Sequence, residues 1–350
     1  MPATPPNRAA TRTSPQPPSF SLVRMLWLAG VPAWWFAAAP WLPCRHWLVD
    51  LPASFAVQAM FGLALLATVL GLLRRTSLAL PHLGFALVAA AAVLPPRWAA
   101  HRAQTATGTP LTLLSLNLLF GREQAAPSAL ALIAAHDPDV LFCCELTPEW
   151  RQRLATVLER YPHRCEAPSP GCFGVGLYSR LPLRDAKVVP LAFPWAPAVR
   201  AVVDSPAGPV GLLAVHTPRP GLGQHCVERD AALAAIPAAL VNLPRPWCVV
   251  GDCNATPYAR AFAELLDATD LVDAGGTHFG GTWTAHWPWF LRVAIDHVLV
   301  DAGHGLGVAR TEVGPGFGSD HLPLFAELRL VVPPTEPRRG EEQRGEQTPK

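Results

Sequence analysis

Three long stretches without a charged side chain constrain this chain more than anything else in it. No Asp, Glu, Lys or Arg lies between Arg24 and Arg45, none from Leu51 to Leu73, and none from Thr76 to Pro96. Each stretch is about the ~20 residues that a helix needs to cross a hydrocarbon core. The first run and its exit carry Trp27, Trp34, Trp35, Trp41 and Trp47, side chains suited to the headgroup level of a bilayer. Pro32, Pro40 and Pro43 are expected to kink that run. The pattern predicts three transmembrane helices within residues 21–98. The alternative is a cleaved signal followed by buried core helices. It fits poorly, because a polar Pro-rich stretch precedes the first run and two more long runs follow it.

Basic residues set the expected orientation. Arg8, Arg12 and Arg24 precede the first span, only Arg45 follows it, and Arg74 with Arg75 follow the second. Positive charge collects on the cytoplasmic side. The N-terminus and the second loop are therefore expected inside, and everything after Pro96 outside. Arg97 and Arg102 flank the third span on the outer side and count against this assignment. Residues 1–20 and 332–350 are Pro-rich or charge-rich and lack apolar periodicity, so both read as disordered tails. Residues 109–331 remain, a stretch of roughly 220, enough for one well-buried domain.

Net charge misleads until it is divided. The whole chain carries +2, but residues 109–330 hold 16 Lys and Arg against 21 Asp and Glu, a balance of −5. Lys187 is the sole lysine in that span. Gripping a nucleic-acid duplex means neutralising many phosphates, so an acidic domain of this kind counts against a nuclease. The eight cysteines include no C-x-x-C. Cys143 and Cys144 adjoin in a strand-like run and are expected to point to opposite faces. Cys165 and Cys172 are close enough in sequence for a bridge in an oxidising compartment. Cys143, Cys144, Cys248 and Cys253 are expected as buried free thiols.

Within the soluble stretch, Leu111–Leu116, Val140–Cys144, Val175–Ser179, Ala198–Asp204, Val210–His216, Trp247–Gly251, Ala294–Val300 and Leu324–Leu330 read as strands. Helical spacing runs from Pro127 to His136, and Asp137-Pro138 stops it. Thr147 is an N-cap ahead of Pro148, and a further helix spans about Cys226 to Leu240. Strand on strand with short turns suggests two packed sheets with helices outside, rather than a simple parallel sheet.

One regularity points to chemistry. Asn117, Glu145, His216, Asp252 with Asn254, and Asp320 with His321 all sit at a strand end or just past one. Sites are usually built on loops at one edge of a rigid core. Taken singly, each is most simply a turn or cap residue: Asp252-x-Asn254 reads as an Asx turn, and Asp296 as a capped strand end. Five such blocks in this order make coincidence improbable. Carboxylate, amide and imidazole together suit metal-assisted phosphate ester hydrolysis. The carboxylates hold a hard cation, an Asp takes a proton from water, and His and Asn meet the developing charge.

The blocks SLNLLFG (115–121), FCCELT (142–147), VGLYSR (175–180), AVHTP (214–218), GDCNATP (251–257), GTWTA (281–285), IDHVLV (295–300) and SDHLPL (319–324) resemble the endonuclease/exonuclease/phosphatase superfamily, the deoxyribonuclease I-like fold. Most similar is its bacterial membrane-anchored branch. The resemblance covers residues 110–330. It implies an α/β (α+β) class, a four-layer α/β/β/α sandwich preceded by the three transmembrane helices. It implies Mg2+ (or Mn2+) at Asn117 and Glu145 with Asp320 beside it. Asp252 would deprotonate water, and Asn254 would bind the phosphoryl group. His321 would contact the scissile phosphate with Asp296 fixing its orientation, and His216 would stabilise charge or assist the leaving group. Trp283 is a pocket-lining or core tryptophan, and His297 belongs to the strand motif.

Two departures bear on substrate. Leu119 stands where some nuclease members carry Asp, and Cys172-Phe173 where they place Tyr; Tyr178, inside its strand, reads as core. Both losses argue for a smaller substrate than an abasic DNA site. The expected activity is that of a multi-pass enzyme of the bacterial inner membrane, with its catalytic domain outside the cytoplasm. Its expected substrate is a lipid-linked or membrane-surface phosphate ester. The rivals are an extracytoplasmic nuclease or nucleotide phosphodiesterase, with nucleic acid the less favoured partner, and a catalytically dead membrane-bound binding protein.

Overall fold

The computed structural model describes residues 20–275 and 280–331. The two expected disordered tails, 1–20 and 332–350, lie outside these residues except for Phe20. Helix α1 (Phe20–Ala38), a short α2 (Trp47–Ala53), α3 (Ala56–Leu72) and α4 (Thr76–Arg102) form the N-terminal part. Leu22–Trp41 and Thr76–Arg102 are each long and apolar enough to cross a membrane. The middle run corrects the expectation of three unbroken spans: α2 and α3 meet at a bend of 65°, and only the pair taken as one makes a third candidate. The reason is local. Pro52 lies in the last turn of α2, and Ser54 caps that helix before Phe55 starts the next. Pro32 does not break α1, which continues through it. Small side chains let these helices pack closely, with Ala37, Ala59, Leu63, Ala86 and Ala89 buried together.

From Arg102 the chain runs straight into the two-sheet domain. Thr105 N–H donates to the Val308 carbonyl at 2.9 Å. The elements then follow as β1 (Thr109–Asn117), α5 (Ala126–His136), β2 (Val140–Cys144), α6 (Pro148–Arg153), α7 (Ala155–Leu158), β3 (His163–Ala167), β4 (Val175–Ser179), β5 (Leu183–Leu191), β6 (Phe193–Ser205) and β7 (Gly208–His216). The remainder are α8 (Gln224–Leu240), β8 (Trp247–Asp252), α9 (Arg260–Thr269), β9 (Val272–Asp273), β10 (Asp296–Val300), β11 (Leu306–Val313) and β12 (Leu324–Leu330). They make two six-stranded sheets, ordered β11-β12-β1-β2-β4-β3 and β5-β6-β7-β8-β10-β9.

The two sheets face each other over a core that includes Leu113, Phe142, Val199, Leu212, Val250 and Val298. The outer face of the first sheet packs Leu116, Leu141 and Tyr178 against Ile133 of α5, Trp150 of α6 and Leu158 of α7. The outer face of the second packs Leu213, Val249 and Leu299 under Leu233 and Ile236 of α8 and Phe262 of α9. Central strands are covered on both faces, which is why they read as unbroken apolar runs. Val140–Cys144 is buried at every position. Cys144 joins the inter-sheet core and Cys143 the helix-facing one. Among the described residues every cysteine is free. The Cys165–Cys172 bridge does not form, because Cys165 packs on the inter-sheet core while Cys172 lines a cavity.

Candidate active site

Register brings the site together. Strand β8 lies parallel to β7 and antiparallel to β10, so that Asp252 sits beside His216 on one side and Asp296 on the other. On the facing sheet Asn117 ends β1, and Glu145 follows β2 directly. Asn117 reaches across the sandwich. Its Nδ2 donates to Glu145 Oε1 at 3.2 Å and to Asp252 Oδ2 at 3.1 Å, while its Oδ1 accepts from Leu119 N–H at 3.1 Å. Glu145 Oε2 accepts from Phe120 N–H at 3.0 Å. Glu145 and Asn254 both hold left-handed backbone, at φ 55° and 46°, the kind of strain that persists where surrounding contacts over-determine it.

The Asp252-x-Asn254 turn forms as an Asx turn, with Asn254 N–H donating to Asp252 Oδ1 at 2.8 Å. Asn254 Nδ2 is held by the Thr217 carbonyl at 3.0 Å. His321 Nδ1 donates to Asp296 Oδ2 at 2.9 Å, and its Nε2 lies 3.6 Å from Asp252 Oδ2. His216 Nε2 stands 3.7 Å from the same oxygen and 4.0 Å from Glu145. Trp283 Nε1 donates to Asp320 Oδ2 at 3.1 Å. Every sequence-selected residue therefore falls within one constellation. His297 stays apart: it is fully buried between Asp273 Oδ2 (3.0 Å) and the Ala255 carbonyl (2.7 Å).

The pairing of His321 with Asp296 separates two equally buried central carboxylates. Burial acts to raise both. It pushes the Asp252 carboxyl well above the ordinary range. Asp296 is equally buried, but the adjoining His321 holds it below that range. Burial also opposes a charge on His321, yet Asp296 and Asp252 outweigh it and raise the imidazole. His216, buried beside His321, is lowered to about 4 and stays neutral. The result is an Asp296–His321 ion pair next to a carboxyl that exchanges its proton nearer neutrality, two acids set apart by environment.

The residues fit a hard divalent cation. Glu145 and Asp320 line the same cavity, and Asp320 Oδ1 is buried with no hydrogen-bond partner among the described residues. Oxygen donors of this kind suit Mg2+ or Mn2+. Ligand atoms of Asp252, Asp296 and His321 also lie within 4.8 Å of one another, but His321 Nδ1 is already spent on Asp296. The Asp320 oxygen left without a partner among the described residues makes Glu145 and Asp320 the better place.

Some site residues were not singled out from the sequence: Ser319 and Thr282 lie inside the SDHLPL and GTWTA blocks, and Arg229 lies outside every block. Ser319 Oγ donates to the Asn117 carbonyl at 2.7 Å and accepts from His321 N–H at 3.1 Å. Thr282 Oγ1 accepts from Asp296 N–H at 3.3 Å. Arg229 Nη1 donates to the Asn254 carbonyl at 3.2 Å from within α8. A charged Arg229-Asp230 pair ahead of the apolar Ala232-Leu233 was the one available hint.

A model of the endonuclease/exonuclease/phosphatase family matches residues 114–321. An endonuclease/exonuclease/phosphatase from Bacteroides vulgatus superposes with a TM-score of 0.54 at 20% identity, covering 64% of this chain and 100% of that one. The human Nocturnin catalytic domain, with bound sulfate, gives 0.53 at 18%, covering 64% and 97%. A functionally unknown conserved protein from Enterococcus faecalis V583 gives 0.52 at 18%, covering 63% and 100%. Identities this low carry the fold alone. No curated protein matches the chain.

Proposed function

This chain belongs to the endonuclease/exonuclease/phosphatase family, and from that premise we propose that it is a membrane-anchored, divalent-metal-dependent hydrolase of a phosphate ester at the membrane surface. The observation that carries the reading is the Asp252–His321–Asp296 arrangement, with Asn117 and Glu145 closing it from the opposite sheet. Asp252 accepts the proton of the attacking water. His321, held as a cation by Asp296, donates to a phosphoryl oxygen as negative charge builds there. Asn254 orients the phosphoryl group, and neutral His216 is placed to donate toward the leaving oxygen. Glu145 and Asp320 would hold a divalent cation, which when bound would neutralise charge on the phosphoryl oxygens. Trp283 keeps Asp320 in place.

Three features support the membrane surface as the place of action. Helices α1 and α4, and the bent α2–α3 pair, have the length and composition of spans. Arg45 pairs with Glu264, and Gln58 Nε2 donates to the Arg292 carbonyl at 2.8 Å. The segment between α1 and α2 and the start of α3 thus meet the same domain that follows α4, while Arg74-Arg75 turn at the far end. That arrangement favours the domain outside and the arginines inside.

The test is metal-dependent turnover by the detergent-solubilised full chain on lipid pyrophosphates, phospholipids, nucleotides and plasmid DNA. Release with Mg2+ that vanishes with EDTA and in Asp252→Ala is expected. Cleavage of DNA alone, falling steeply with salt, would replace this reading with the nuclease. No turnover of any substrate by a folded protein would leave the binding protein.

A further inference from the structure

The site described above occupies only part of the cavity that contains it. That cavity measures about 610 Å³, far more than a phosphate group needs and within the ~300–1,000 Å³ range of small-molecule sites. Part of its lining comes from the N-terminal helices: Leu51, Ser54 and Phe55, the break between α2 and α3. Phe55 is steadied by Phe36 of α1, ring centres 6.1 Å apart. An aromatic line continues from the chemistry. Phe173 lies 5.6 Å from the His216 ring and 4.9 Å from Trp195. Most of the remaining lining is apolar, with Leu119, Phe120, Val293 and Ile295 beside these rings, while Arg219, His225 and Glu228 add charge on the α8 side.

We propose that the α2–α3 break is a working wall of this active site. It receives the hydrocarbon chain of an amphiphilic phosphate ester, with Leu51 and Phe55 gripping the chain while the phosphate meets Asp252 and His321. The proposal rests on the phosphoesterase reading for its phosphate end only. A buried ionic link ties this wall to the catalytic loop. Asp50 of α2 is 4% exposed and pairs with Arg229 Nη2 at 2.8 Å. Arg229, 1% exposed, also holds Asp230 at 2.6 Å and the Asn254 carbonyl at 3.2 Å. A carboxylate buried in a largely apolar segment needs such a partner. Asp50 is thereby a positioning residue: it sets Leu51 and Phe55 relative to Asn254. The bend at Pro52–Phe55 has a role of its own, since an unbroken helix there would carry Phe55 along the span. Exposed Trp287, Trp289 and Phe290 on the loop leading to Arg292, the residue that receives Gln58, suit the same apolar boundary.

The experiment measures binding of alkyl phosphates with four, six and eight carbons to the detergent-solubilised full chain by calorimetry. The same three chains are also assayed as p-nitrophenyl alkyl phosphodiesters with Mg2+. Wild type is compared with Leu51→Ala, Phe55→Ala and Asp50→Ala, and with Val188→Ala on the surface of β5 as a control. Partition into the micelle is common to all proteins and cancels in their ratios. In wild type each added methylene should tighten binding by up to about fourfold relative to the wall variants. Leu51→Ala and Phe55→Ala should flatten that dependence, and Val188→Ala should keep it. Asp50→Ala should flatten it too, with Asp50→Asn retaining part, because its amide oxygen still accepts from Arg229. Equal dependence on chain length in wild type and in both wall variants, all with unchanged circular dichroism, overturns the proposal. Chain-dependent binding without metal-dependent hydrolysis would keep the wall and remove the phosphoesterase. Hydrolysis with chain-independent binding would do the reverse.

Discussion

At the scale of single residues, Asp252 and Asp296 are cross-strand partners with opposite proton affinities. Identity in sequence says nothing of this; the hydrogen bond from His321 to Asp296 decides it. Asp296→Asn should therefore lower turnover on the order of 10²–10⁴-fold with substrate affinity largely kept. It should also move the alkaline limb of the rate profile to lower pH, since His321 loses the charge that holds its proton. A pH series of kcat on the variant checks both. His216 supplies a stability prediction. Burial holds its folded pKa at about 4 against an ordinary 6.5. Below pH 6.5 the unfolded chain takes up a proton that the folded chain refuses until about pH 4. Stability is lost across that window as pH falls. His216→Gln should resist acid unfolding better than wild type between pH 6 and 4, measured by denaturant midpoints.

At the scale of elements, β7 and β8 approach closely enough to need glycine between them. Gly251 sits at φ 131°, and a Cβ there would lie 2.1 Å from the Val215 carbonyl oxygen. Gly251→Ala must separate His216 from Asp252. It should cost about 2–4 kcal/mol in unfolding free energy, from strain and overpacking together, as read by urea denaturation. The doubly covered strands β2, β4, β7 and β8 were legible as apolar runs, and β1 and β12 as mainly apolar ones. So was the Thr147 cap, which accepts from Trp150 N–H at 3.0 Å. Strands β3, β5, β9 and β11 were not. They are the four edge strands of the two sheets. Sequences such as His163–Ala167 and Leu183–Leu191 mix exposed charge with half-buried positions, and their pairing is set by the neighbour they meet. The break in the middle apolar run was missed although its cause is local: Pro52 sits where a helix tolerates it poorly, but the run keeps its apolar character across the bend.

For the whole molecule, the N-terminal helices and the domain share one cavity and one buried ionic link. A fragment beginning at about residue 104 keeps all the carboxylates and histidines of the site but lacks Leu51 and Phe55. It should hydrolyse a short-chain phosphodiester with Mg2+ and show a flatter dependence of kcat/KM on chain length than the full chain in parallel assays. By itself the sequence determined where charge is absent, which runs are buried on both faces, and which polar residues stand at strand ends. These follow from hydropathy and turn chemistry within a few residues, which any reading of the chain can recover. The tertiary structure alone decided that Asn117 bridges Glu145 and Asp252 and that Arg229 joins Asp50 to the Asn254 loop. These contacts connect residues far apart in the chain, Asn117 and Asp252 by 135 positions. Their energies depend on shared burial, which exists only once both sheets and the helices above them have closed.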